Sequence, residues 1–185
     1  MAPSKVILDA CVLYPTITRD ILLLAAQHDQ FVPYWSLRIL EEWRRAAAKL
    51  GPDQAAFAQG EIALLNARWP DAIIDAEPLT QAGLDLPDAN DVHVLASALT
   101  GRCPVIVTAN LKDFPTRYLA ELGVQAVHPD QFLTGFAHSA PKVMLRVVGQ
   151  VHATAEQLSG QHWPLRKLLK KARLPRLGKA MENLR

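Results

Sequence analysis

Two runs, Val6-Ile7-Leu8 and Val105-Ile106-Val107, most constrain what this chain can fold into. Each is short, continuous and β-branched, the pattern of a strand buried on both faces, and such strands belong in a parallel sheet covered by helices. Between and around them run segments of helical periodicity. After Pro15, Ile17, Ile21, Leu22, Leu24 and Ala25 recur at helical spacing to about Gln27. Phe31–Trp35 reads as another strand, and Ser36 as the cap of a helix that stops before Gly51-Pro52. A helix is expected from Asp53 to about Arg68, a strand at Ala72-Ile73-Ile74, and a helix from Asp88 to Leu99 stopped by Gly101. A short helix near Arg117–Leu122 and a weaker strand at Val124–Val127 complete the alternation. Strands alternating with helices predict an α/β fold with a mainly parallel sheet.

Beyond Thr134 the strand patterns cease. Lys142–Leu158 and Leu165–Ala172 read as helices, with Gly160 and Pro164 between them and Pro175 after. The expected organisation is a catalytic domain over 1–134 and a basic helical extension over 135–185. Residues 141–185 hold ten basic residues against two acids, whereas the other 140 residues hold ten against sixteen. An acidic body with a basic tail suits one part that handles cations and another that handles polyanions. A solvated helical face is the plainer reading of the same charges.

No apolar run approaches the ~18–20 residues that span a bilayer, and the N-terminal apolar run is too short for a signal peptide. Cys11 and Cys103 provide neither a disulfide framework nor a zinc spacing, so a cytoplasmic location is expected.

The acids carry the chemistry. In an open parallel sheet, functional groups gather beyond the carboxyl ends of the strands. Asp9 ends the first strand, and Asp113 lies shortly after Val105–Val107. Asp88 and Asp91 share the first turn of one helix, and Glu41 and Glu42 lie on the helix after Trp35. Each also has a structural reading: Asp9 and Asp88 as caps, Asp91 as a first-turn acid, a glutamate paired with Arg45, Asp113 in an Asx turn.

If Asp9, Glu42, Asp91 and Asp113 share one pocket, their repulsion needs compensation. Two like charges ~4 Å apart cost about 4 kcal/mol at an effective dielectric of 20. Protons or a divalent cation must supply it. Oxygen ligands without a Cys/His cluster select a hard ion, Mg²⁺ or Mn²⁺, and magnesium favours phosphate oxygens. Metal-assisted cleavage of a phosphodiester follows.

Rival chemistries lack their residues. Cys11 has no arginine six positions later, as a cysteine phosphatase loop requires, and a haloacid-dehalogenase-like phosphatase would need an acid at position 11. No Gly-rich loop ending in Lys-Ser/Thr is present. His93 reads as a packed or surface histidine, and Trp35, Trp43 and Trp69 as core. Trp163 either stacks on a base or packs the extension.

The order Asp9, Ser36-Leu-Arg-Ile-Leu-Glu-Glu42, Asp88-Ala-Asn-Asp91-Val-His-Val-Leu-Ala and Val105-Ile-Val-Thr-Ala-Asn-Leu-Lys-Asp113 resembles a PIN domain over roughly residues 4–133. More narrowly, it is similar to the VapC-type ribonuclease toxins of prokaryotic toxin–antitoxin modules. The resemblance implies a PIN-like (Rossmann-like) sheet and a Mg²⁺-dependent endoribonuclease, with Mn²⁺ able to substitute. By it, Asp9, Asp91 and Asp113 hold metal and, with Glu42, form the catalytic set. Glu42 positions the attacking water and is chosen over Glu41 by its distance from Ser36. Thr108 and Asn110 line the pocket. Many family members carry an acid where Asn110 stands, so either Asp113 supplies the fourth carboxylate or Asn110 lowers the metal affinity. Asp88 is either a peripheral member of the site or only the cap.

The resemblance further implies 5′-phosphate and 3′-hydroxyl products, an RNA substrate, a protein antitoxin and a homodimer. Arg166, Lys167, Lys170, Lys171 and Arg173 interleave with leucines, and such a helix either binds RNA backbone or docks on protein. The competing functions are a housekeeping RNA-processing nuclease and a non-catalytic RNA-binding adaptor.

Overall fold

The computed structural model describes residues 3–76 and 83–184. Its elements run β1 (Lys5–Leu8), α1 (Ala10–Leu13), α2 (Thr16–Gln27), β2 (Val32–Tyr34), α3 (Leu37–Ala48), α4 (Pro52–Arg68), α5 (Val92–Thr100), β3 (Val105–Val107), α6 (Thr116–Glu121), β4 (Gln125–Val127), α7 (Pro129–Ser139), α8 (Pro141–Ser159), α9 (Leu165–Lys171) and α10 (Pro175–Asn183). Single 3-10 turns cover Ala89–Asp91 and Leu111–Asp113.

The sheet order is β2-β1-β3-β4, and every pairing is parallel. Val6 faces Val105 and Leu8 faces Val107 in register. Val6, Ile7, Leu8, Ile106 and Val107 are fully buried, which is why both runs are apolar at successive positions. The chain leaves β1 towards β2 on one side and reaches β3 on the other. The carboxyl ends of β1 and β3 therefore border the crevice where the strand order reverses, the place such sheets reserve for ligands. Asp9 follows β1, and Thr108 follows β3.

Two expectations need correction. Ala72–Ile74 forms no strand; Ile73 makes a single bridge with Trp35. The helix expected from Asp88 is a 3-10 turn followed by α5, with Asp88 outside as the cap: Asn90 N–H donates to its Oδ1 at 2.9 Å. Gly101 ends α5 as expected, and close packing against Ile74 requires a glycine there. Its φ is −77°, and a Cβ there would lie 2.2 Å from Ile74 Cδ1.

Pro175, noted only as following the last expected helix, opens a further one, α10, since a proline at the first helical position loses no hydrogen bond. Position 134 falls inside α7. Phe132 and Phe136 of α7 pack their rings on Phe31 at 5.1 and 6.0 Å. Met144, Val147, Val148 and Val151 of α8, with Leu169, Leu177 and Met181 beyond, join the same buried core as the sheet. Asp130, itself buried, fixes the last helix. Its Oδ2 accepts from Arg176 N–H at 3.0 Å and its Oδ1 from Leu177 N–H at 2.9 Å. Among the described residues no helix is long and apolar enough to cross a membrane.

Candidate active site

Asp9 sits where β1 becomes α1. Its carbonyl, not its side chain, starts the helix, accepting from Val12 and Leu13 N–H. The capping reading of Asp9 is thereby excluded, and its carboxylate faces the crevice side of β3. Oδ2 accepts from the Thr108 hydroxyl at 2.7 Å and from the Cys11 thiol at 3.0 Å. Thr108 Oγ1 accepts in turn from Asn110 N–H at 3.0 Å, and Cys11 Sγ from Ala109 N–H at 3.2 Å. Both donors are thus oriented by the loop after β3. No described residue donates to Asp9 Oδ1.

Cys11 is a donor and not a nucleophile. Burial, and then the Asp9 charge beside it, push its thiol up to about 12, so it stays protonated. Its role was not foreseen; its position two residues after the acid that ends β1 is the one signal the sequence offers.

Asp91 occupies the centre. One oxygen each from Asp88, Asp91 and Asp113 lie within 4.8 Å of one another. Asn110 bridges two of them, its amide Nδ2 donating to Asp91 Oδ2 at 3.3 Å and also to Asp113 Oδ2. Asn110 therefore clamps two carboxylates where a further acid would repel them. The tight trio includes Asp88, which combines capping with membership of the cluster, and leaves Asp9 and Glu42 just outside. Both still act on Asp91. Burial, and then the charges of Asp9, Asp88, Asp113 and Glu42, push its carboxyl up to about 6.

Neighbouring glutamates of α3 face opposite fates. Glu41 accepts from Arg44 at 2.7 Å and Arg45 at 2.8 Å, and these two guanidiniums hold its carboxyl down at about 2. Glu42 turns towards α5, where its Oε1 lies 2.7 Å from His93 Nε2 and 3.7 Å from Arg38 Nε. His93 is buried against Glu42, and neither of its ring nitrogens makes a hydrogen bond of good geometry among the described residues. The reading of His93 as packed holds; its placement against Glu42 needs the tertiary fold.

Two full charges 4.8 Å apart repel by about 3.5 kcal/mol at an effective dielectric of 20. Protonation of Asp91 relieves part of that repulsion, and a divalent cation relieves more. The donors are carboxylate oxygens with an amide and a hydroxyl nearby, and the thiol is held protonated. That set fits a hard ion.

In the extension, Lys167, Lys170, Lys171 and Arg173 are exposed. Arg166 is paired with Glu182 at 2.8 Å. Leu165, Leu168 and Leu169 turn inward, and Trp163 lies under Lys171, whose Nζ is 4.9 Å from the ring centroid.

The PIN domain profile matches residues 4–112, more than half of the chain and all the acids of the crevice except Asp113. The chain belongs to the PIN domain family. It is also 54% identical over 43 residues to a Mycobacterium tuberculosis protein named "Putative ribonuclease VapC50". That match covers 23% of this chain and 25% of the relative, so the shared segment spans a quarter of the relative's length. No solved structure matches.

Proposed function

We propose that this PIN domain protein is a Mg²⁺-dependent endoribonuclease and the toxin of a toxin–antitoxin pair, with Mn²⁺ able to replace Mg²⁺. One observation carries the reading: oxygens of Asp88, Asp91 and Asp113 gather within 4.8 Å at the strand-order switch of the sheet, where burial, and then the charges of four neighbouring acids, push the Asp91 carboxyl up to about 6. Crowding of this kind costs stability and is unneeded for folding, as expected of a site kept for a cation.

Asp91 and Asp113 would hold the ion together with Asp9, which stands just outside the tight trio, and Asp88 within that trio would complete the set. When bound, Mg²⁺ supplies charge neutralisation at a phosphate and acidifies a water molecule. The chain's own groups do the rest. Thr108 and Cys11 fix the Asp9 carboxylate by donating to Oδ2, which leaves Oδ1 as the oxygen that would be offered to a cation. Asn110 keeps Asp91 and Asp113 side by side. Glu42 orients the attacking water by accepting its hydrogen bond. The water oxygen would bond to phosphorus as the P–O3′ bond breaks, the water's proton passing to solvent and the leaving O3′ taking one from solvent, so the ends left are 5′-phosphate and 3′-hydroxyl. The exposed lysines and Arg173 of the extension attract the RNA backbone.

The toxin role rests on the relative's name and on the charge of the crevice, which a basic side chain of an antitoxin would complement. Expression should arrest growth, and the neighbouring gene product should relieve it. Purified protein should cut RNA with Mg²⁺ and stop with a chelator. RNA binding with no cutting under any divalent ion would make the protein a binding module. Cutting without growth arrest would make it a processing nuclease.

A further inference from the structure

A groove of about 580 Å³ opens beside the acidic crevice, and its two ends differ in charge. At one end are Cys11 and Ala109, the residues bonded to each other next to Asp9 and Thr108. At the other are Lys171 and Arg173, beyond the span matched by the family profile. Between them the floor is apolar, with Tyr14 the exposed aromatic ring along it. Among the described residues no acid lines it, although Asp9, to which Cys11 donates, stands next door.

The basic end is held in place. Arg173 has a φ of 60°, a left-handed conformation that turns the chain sharply after α9. Thr18 of α2 pins that turn by donating to Ala172 C=O at 3.3 Å, and buried Leu174 anchors it from below. Lys171 is steadied over the Trp163 ring. His128, the other ring of the lining, accepts from Asp130 N–H, and burial pushes its pKa down. An uncharged imidazole leaves the apolar floor intact.

We infer that this groove seats the nucleotide next to the scissile phosphate of a single-stranded RNA, its base on the apolar floor and its distal phosphate between Lys171 and Arg173. The inference rests on the nuclease reading. An apolar floor with a cationic end fits a nucleotide, whose flat base and phosphate stand in that relation. Its volume lies within the ~300–1,000 Å³ of small-ligand pockets. A base bound there places the adjoining phosphate at Asp9, so the groove would set which side of the cut the enzyme grips.

The test measures binding of a fluorescein-labelled single-stranded RNA of about ten nucleotides in EDTA, where cutting is silent. Lys171→Gln with Arg173→Asn should flatten the slope of log Kd against log salt by about 1.4, the share of two single-strand phosphate contacts. Lys142→Gln with Arg146→Gln removes the same charge from exposed positions of α8 and should leave the slope unchanged. Ala46→Trp fills the groove without altering charge and should weaken binding about fivefold or more. Equal slopes for the two double variants would overturn the inference, as would wild-type affinity in Ala46→Trp, which would leave the groove to a protein partner. Wild-type cutting with Mg²⁺ is scored separately. Its failure removes the nuclease reading, whereas the slopes in EDTA judge the groove.

Discussion

Asp91 and Asp130 both stand at the entry to a helix, and they show two uses of a carboxylate. Asp130 is buried and satisfied: each oxygen accepts a backbone N–H of α10, so its charge ties the extension to α7. Asp91 is half-buried and beset: four other acids act on it, and a single amide donates to it. One region has matched its charge to donors of the fold. The other holds charge that the fold alone does not neutralise. The comparison teaches that negative charge by itself is not the mark of a site. What marks the crevice is charge left uncompensated at the place where this sheet topology opens.

The largest contrast should come from removing each acid. Asp91→Asn should lower RNA cleavage by about a hundredfold or more, measured in single turnover, while raising the melting temperature of metal-free protein at pH 7.5. Asp130→Ala should do the reverse to stability, costing about 3 kcal/mol in denaturant unfolding as two backbone donors lose a charged acceptor. If both variants destabilise alike, the distinction between the regions fails.

A second contrast is with pH. The folded carboxyl of Asp91 titrates near 6, above its ordinary unfolded value, so folding favours its protonated form. Its contribution to metal-free stability is present below about pH 4 and is lost as pH rises to about 6. The melting-temperature difference between Asp91→Asn and wild type should therefore widen over that window in the variant's favour. A difference that stays constant from pH 4 to 7 would show that no proton is held there.

The smallest effect sharpens the same point within one helix. Glu41→Gln should leave cleavage unchanged and the melting temperature nearly so, because its pairs with Arg44 and Arg45 are exposed. Glu42→Gln should impair cleavage.

Much of this was legible in the sequence because local chemistry and tertiary outcome agree. The two β-branched runs sit side by side at the centre of the sheet, and Ser36 caps α3 as its position implies, accepting from Ile39 N–H. Where they disagree, the fold decided. The helix that Pro175 opens was not legible, because the side-chain acceptors for its first turn come from Asp130, far upstream. Asp130 gave no signal because its partners are backbone groups about forty-six residues away. The acids of the crevice could be assembled from order and strand ends. The clamp by Asn110, the two donors on Asp9 and the burial of His93 against Glu42 depend on distances that only the folded chain fixes.

The most direct test of the central claim is calorimetric titration of Mn²⁺ into the metal-free protein at pH 6, in two buffers of different ionisation enthalpy. Binding should release roughly half a proton at that pH, as the half-protonated Asp91 gives way to the ion. Release should vanish by pH 8, and Asp91→Asn should bind more weakly with no release. Absence of binding, or binding indifferent to Asp91→Asn, would contradict the claim that these carboxylates are gathered to hold a cation.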